Sequence, residues 1–173
     1  MGISIEPLGE GCCETVLNNY KIVITDKSRV DKSIKFVDYV LDFEDKFLLI
    51  EEKSFVLAIL SPKGDEIEDR EIERFSKLSN EEKSLKVCKE SFRLLSDSNK
   101  KLKDTIIYLL KEKENFNIDK LQKSSFIYLY CKTDKLKEVD KLLISSLNMK
   151  NRKNIFIECS KLDYFIKTFK DLA

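Results

Sequence analysis

Apolar and polar positions follow two different periods along this chain, and the switches between them mark out its elements. Lys21-Ile22-Val23-Ile24-Thr25 is a short β-branched run and reads as a first strand. From Phe36 to Ser54, two apolar stretches flank the polar pair Glu44-Asp45, a pattern that predicts a hairpin. Ser125–Cys131 and Asn154–Cys159 are two further strand candidates. Helical spacing takes over elsewhere. Glu10–Asn19 is a short helix candidate, and Glu66–Leu78 repeats Ile67, Ile72, Phe75 and Leu78 on one face. Glu81–Leu95 reads as a second mid-chain helix, and Lys101–Lys113, with Leu102, Ile106, Leu109 and Leu110, as a third. Lys135–Leu147 is amphipathic through Leu136, Val139, Leu143 and Leu147, and Tyr164–Leu172 supplies a closing helix. Strands alternating with helices after the hairpin predict a mixed α/β domain. The helices over about residues 61–122 form an insertion between the third and fourth strands.

Within the predicted hairpin, charge appears where a sheet should be apolar. A two-residue turn at Glu44-Asp45 sets Phe43 against Lys46, Asp38 against Glu51 and Phe36 against Lys53. By strand alternation, Asp38, Glu51 and Lys53 share a face with Phe36, Val40, Phe47 and Leu49. Val37, Tyr39, Leu41, Leu48, Ile50 and Glu52 fall on the other. Opposed residues in an antiparallel pair lie roughly 4.5–5.5 Å apart at Cβ, near enough for two carboxylates to clasp one hard divalent cation. Charges are rarely buried in a sheet unless they are paired or bind a metal. Both readings stand at this level, a site or a salt-bridged strand face. Chance produces the same acid-x-lysine spacing at Glu44-Asp45-Lys46 and Glu81-Glu82-Lys83. Only Glu51-Glu52-Lys53 follows an apolar strand and has an acid on the paired strand upstream.

Asp38, a hairpin, then Glu51-x-Lys53: this order resembles the PD-(D/E)xK nuclease superfamily, which includes many restriction enzymes and archaeal Holliday-junction resolvases. The resemblance implies a restriction-endonuclease-like core, a central mixed sheet with an antiparallel meander flanked by helices. It covers roughly Glu10 to Cys159, with the helical insertion. It implies that Asp38 and Glu51 are metal-binding acids, that Lys53 is the catalytic lysine, and that the first helix adds an acid, for which Glu14 is the best match and Glu10 the second. Mg2+ or Mn2+ is the implied cofactor, and nucleic acid the implied substrate, DNA in preference to RNA. Val37 stands where the superfamily often has proline, and Glu52 where an apolar residue is usual. Glu52 then faces away from the site and must meet Lys35, Lys46 or solvent. Resolvase-like members are nearest in size, but the inserted helices argue against a resolvase. A non-catalytic nucleic-acid-binding module, or an interaction domain using the mid-chain helices, is the alternative.

Composition narrows the chemistry further. The chain has no histidine, which removes histidine-based nuclease, triad and zinc mechanisms together. Five cysteines, including the adjacent Cys12 and Cys13, contain no CxxC pair, so a zinc site is not expected. Buried free thiols are the expectation, with a disulfide from Cys12 or Cys13 as the alternative. A net charge of +1 gives no general footprint for nucleic acid, so backbone contacts fall to local clusters. Lys27, Arg29, Lys32 and Lys35, just before the hairpin, are the preferred one. Lys100, Lys101 and Lys103 form a second, and Lys150, Arg152 and Lys153 a third; each such cluster is more often just a solvated surface.

With 173 residues, 42% of them hydrophobic and 11 of them Phe, residues 1–173 are expected to form one globular domain. The apolar stretch Phe47–Leu60 is interrupted by Glu51, Glu52 and Lys53 and cannot serve as a membrane span. Met1–Leu8 carries an acid and no basic start, so no signal peptide is read there and the expected location is cytoplasmic. A homodimer is left open.

Overall fold

The computed structural model describes residues 16–25, 35–53, 59–60, 69–112, 118–130, 141–142, 144–145 and 155–171. Among these, β1 (Ile22–Thr25), β2 (Tyr39–Asp42), β3 (Phe47–Glu52), β4 (Ser125–Tyr130) and β5 (Ile155–Glu158) form one mixed sheet in that spatial order. β1, β2 and β3 pair antiparallel, whereas β3–β4 and β4–β5 are parallel. The helices are α1 (Asp69–Ser76), α2 (Asn80–Glu112), α3 (Ile118–Gln122) and α4 (Leu162–Asp171), the last preceded by a 3-10 turn at Cys159–Lys161. The protein is therefore α/β, with a five-stranded mixed sheet flanked by helices. None of the described helices is long and apolar enough to cross a membrane.

β3 is the central strand, and its sequence says why. Phe47 through Glu51 are all buried, since helices cover both faces and a neighbouring strand occupies each edge. On one face Leu41, Leu48, Ile50, Ile127 and Leu129 pack against Leu162, Ile166 and Phe169 of α4 and against Leu17. The spacing 162, 166, 169 puts those three side chains on one stripe of the helix. On the other face Phe36, Val40, Phe47 and Leu49 pack against Leu109 of α2, with Val37 in the same cluster. Val37 was expected on the opposite face, with Leu41, Leu48 and Ile50. Its backbone N–H instead donates to Thr105 Oγ1 on α2 at 3.0 Å, because the chain has not yet entered regular β2 at that point. In β1, the register slips by one residue between Ile22 and Ile24, a bulge.

The hairpin register is the expected one. Tyr39 pairs with Ile50, Val40 with Leu49, Leu41 with Leu48 and Asp42 with Phe47. The Phe43 N–H donates to the Lys46 carbonyl at 3.0 Å, which closes the turn around Glu44-Asp45. Glu-Asp lacks the Asn-Gly or Asp-Gly chemistry that such turns favour. Lysines from neighbouring elements tie this end down instead: Lys21 and Lys120 each reach Asp42 at 2.6 Å, and Lys123 reaches Asp45 at 3.3 Å.

α2 is a correction to the expected element list. Glu81–Leu95 and Lys101–Lys113 are not two helices but parts of one 33-residue helix, about 50 Å long at 1.5 Å per residue. It starts at a capping box: the Glu82 N–H donates to Ser79 Oγ, and the Ser79 N–H donates to Glu82 Oε2. The stretch between the two expected helices, Ser96-Asp97-Ser98-Asn99-Lys100, holds Ser, Asp and Asn, which prefer caps and turns. Each lowers helix stability by only a few tenths of a kcal/mol, and without Gly or Pro the helix runs on wherever it packs. It packs at both ends. Val87 and Leu94 join Phe75 of α1 and Tyr128 of β4, while Leu109 joins the β2–β3 cluster. Along the same inward stripe α2 buries Ser91, Ser98 and Thr105, at seven-residue intervals. Such small side chains bring the helix close to the sheet.

Helix is present at 141–142 and 144–145, within the predicted Lys135–Leu147 element, whose other residues lie outside the described ones. Cys159, expected at the end of a strand, begins the 3-10 turn after β5 and is buried, whereas Cys88 on α2 is half-buried. Cys12, Cys13 and Cys131 lie outside the described residues.

Candidate functional site

β2 begins, and β3 and β4 end, at the same edge of the sheet, below the middle of α2. Asp38 immediately precedes β2, and by the register of the pair it lies across from Glu51. The Asp38 carboxylate is fixed by the backbone of the facing strand: the Glu52 N–H donates to Asp38 Oδ2 at 2.6 Å. Glu51 is completely buried, between Asp38 on one side and Tyr128, its partner in the parallel pair, on the other. Just past Glu52, the Lys53 N–H continues the β3–β4 ladder by donating to the Leu129 carbonyl at 2.9 Å. That bond holds the backbone from which the Lys53 side chain leaves.

Four charged side chains meet here. Lys53 Nζ is 2.6 Å from Glu51 Oε1. Lys101, from the middle of α2, places its Nζ 2.8 Å from the same Oε1 and 3.3 Å from Asp38 Oδ1. The cluster is neutral overall, two acids against two ammonium groups. Asp38, Lys53 and Lys101 keep 21%, 19% and 16% of their side chains exposed while Glu51 keeps none, so the open side carries one carboxylate and two cations. Glu51 Oε2 is buried, and among the described residues nothing hydrogen-bonds it. Burial, followed by the Asp38 charge, raises the Glu51 pKa, and the two lysines offset this only in part. For Lys101, burial works to lower the pKa, but the Asp38 and Glu51 charges and hydrogen bonds outweigh it and leave it raised. Tyr128 is raised too, by burial first and by the Glu51 charge as well.

The structure brings together three of the four expected catalytic residues, Asp38, Glu51 and Lys53, on one face of one hairpin. Glu14 and Glu10 lie outside the described residues, as do Lys27, Arg29 and Lys32 of the preferred basic cluster. Lys35 is described and exposed, and its N–H donates to Asp104 Oδ2 at 3.3 Å. Lys101 is the residue that the sequence reading misplaced. It was grouped with Lys100 and Lys103 as a surface cation, yet it lies within the carboxylate pair. A signal was present: Lys101 falls seven residues after Leu94 and fourteen after Val87, on the stripe of α2 that packs inward. The stripe of Leu102, Ile106, Leu109 and Leu110 obscured it.

The oxygen donors here suit a hard cation. Mg2+ is commonly held by one or two carboxylates and keeps several of its waters for phosphate oxygens. Asp38 Oδ1 and Glu51 Oε1 belong to two carboxylates that already share one cation, the Lys101 ammonium. No group of three or more potential metal ligands occurs among the described residues. Compared with known protein families, curated proteins and solved structures, the chain shows no match.

Proposed function

We propose that the protein is a metal-dependent nuclease of PD-(D/E)xK type that hydrolyses phosphodiester bonds, those of DNA in preference to RNA. One observation carries this reading: Asp38 and Glu51 oppose each other across β2–β3, and Lys53 touches Glu51 at 2.6 Å on the open side of the pair. Asp38 and Glu51 would hold Mg2+ or Mn2+, which supplies an acidified water and draws charge from the phosphoryl oxygens. The protein's own part is positioning. Glu52 N–H fixes the Asp38 carboxylate, and the end of the β3–β4 ladder fixes Lys53. The Lys53 ammonium would donate to a phosphoryl oxygen as negative charge builds in the transition state. Buried Glu51 is ion-paired through Oε1 with Lys53 and Lys101. Lys35, with Lys27, Arg29 and Lys32, would meet the nucleic-acid backbone near Asp38.

A second reading has its own observation. Lys101 neutralises both carboxylates at once, as an ion-paired structural cluster would, and this favours a non-catalytic nucleic-acid-binding or interaction module on a nuclease-like frame. The two separate in one assay. Labelled single-stranded, duplex and branched DNA, and RNA, are incubated with the protein and Mg2+ or Mn2+. Metal-dependent cutting that is lost in both Glu51→Gln and Lys53→Ala is the expected result. No cutting of any substrate by the folded wild type would hand the site to the second reading.

A further inference from the structure

Lys101 comes from an element that the hairpin does not contain, and it is the one described cation that touches both candidate metal acids. Its Nζ lies 2.8 Å from Glu51 Oε1 and 3.3 Å from Asp38 Oδ1, so it stands where one ion shared by those carboxylates would stand. We infer that Lys101 is a built-in competitor cation, holding Asp38 and Glu51 together until a divalent ion displaces its ammonium. This inference rests on the metal-binding reading of the pair.

The reasons are electrostatic and steric. A fully buried carboxylate beside a second one repels it strongly in a poorly screened setting, so something must neutralise the pair before any metal binds. Of the two acids, Lys53 pairs with Glu51, which leaves the bridging to Lys101. A dication on the same oxygens cannot share that space with an ammonium, both for lack of room and because like charges repel. Lys101 is free to leave. Its charge sits on a flexible four-carbon stem, and its side chain reaches the open side of the site. There it would lie beside Lys53, where a phosphate must approach. Metal entry and a second phosphate-facing cation would then be one event. The helix backbone need not move, because Thr105 and Leu109 anchor this part of α2 to the β2–β3 side.

The test needs no nucleic acid. Mn2+ is titrated calorimetrically into the full chain as wild type, Lys101→Met, Lys53→Met, Glu51→Gln and the double variant Lys101→Met/Glu51→Gln, with thermal melts in the presence and absence of Mn2+. Lys101→Met should bind Mn2+ about tenfold or more tightly than wild type, the size of an ordinary coupling between two sites. Its metal-free form should melt lower than wild type and recover with Mn2+. Lys53→Met should tighten binding less, and the double variant should lose what Lys101→Met gained. If Lys101→Met fails to fold, Lys101→Gln removes the charge but keeps a polar, hydrogen-bonding end and should behave the same way. Equal Mn2+ affinity in wild type and the Lys101 variants, abolished by Glu51→Gln, would overturn the competitor role and leave the metal site standing. No binding in any variant, Lys101→Met included, would remove the metal reading and this inference with it.

Discussion

Thr105 shows how one side chain ties the candidate site to its helix. Its hydroxyl donates to the Lys101 carbonyl at 2.7 Å, a back-bond within α2, and accepts the Val37 N–H at 3.0 Å. Val37 is buried, so that N–H has no water to turn to. Thr105→Val keeps the shape and removes the acceptor, leaving a buried donor unsatisfied, and should destabilise the protein by about 1–3 kcal/mol in urea denaturation. Because Asp38 follows Val37 directly, the same variant should weaken Mn2+ binding while Asp38 and Glu51 remain in place. Asp38 and Glu51 were legible because the strand period of two fixes both face and partner. Lys101 was harder to read, since the stripe of Val87 and Leu94 on which it falls competes with that of Leu102, Ile106, Leu109 and Leu110, and a lysine on either looks like any other surface charge.

Among elements, the hairpin depends on what grips its turn. Asp42 ends β2 and is held by Lys120 of α3 and by Lys21, both at 2.6 Å. Lys120 is mostly buried, with its ammonium 4.2 Å from the centre of the Phe47 ring, whereas Lys21 is 73% exposed. Lys120 therefore carries the larger share, as exposed pairs contribute little. Burial works to raise the Asp42 pKa, but the hydrogen bonds and charges of Lys120 and Lys21 outweigh it and leave it below the ordinary 3.8. A lowered folded-state pKa contributes stability that is present above 3.8 and is lost as pH falls through the lower folded value. In denaturant titrations across that acid range, wild type should lose stability more steeply than Asp42→Asn. A matching slope in the two proteins would show that the pair does not grip the turn. The hairpin itself was readable from its apolar flanks. Its fastening was not, because Lys120 belongs to a short helix lying 78 residues further along the chain.

For the whole molecule, α2 is the member that joins the parts. One end packs with α1 and β4, the other with β2 and β3, and its polar middle lies over the carboxylate pair. Continuity through Asn99, which is exposed, is what lets one helix serve both ends. Asn99→Pro removes a helical hydrogen bond and clashes with the preceding turn, and should destabilise the protein by about 3 kcal/mol or more with loss of helical circular dichroism. A proline accepted there without loss would mean that two helices meet at a loop, and Lys101 would then have no fixed approach to Glu51.

Strand identities, the hairpin register and the shared face of Asp38, Glu51 and Lys53 all follow from local alternation. A strand has two faces and a short turn leaves one main way to pair, so counting residues was sufficient. Joining two expected helices into α2, moving Val37 to the α2 side and bringing Lys101 onto two carboxylates needed the assembled protein. Asp38 and Lys101 are 63 residues apart in the chain, and no local period relates them. What relates them is packing: the apolar ends of α2 must be buried on different parts of one sheet, and the helix between them then has a single place to lie.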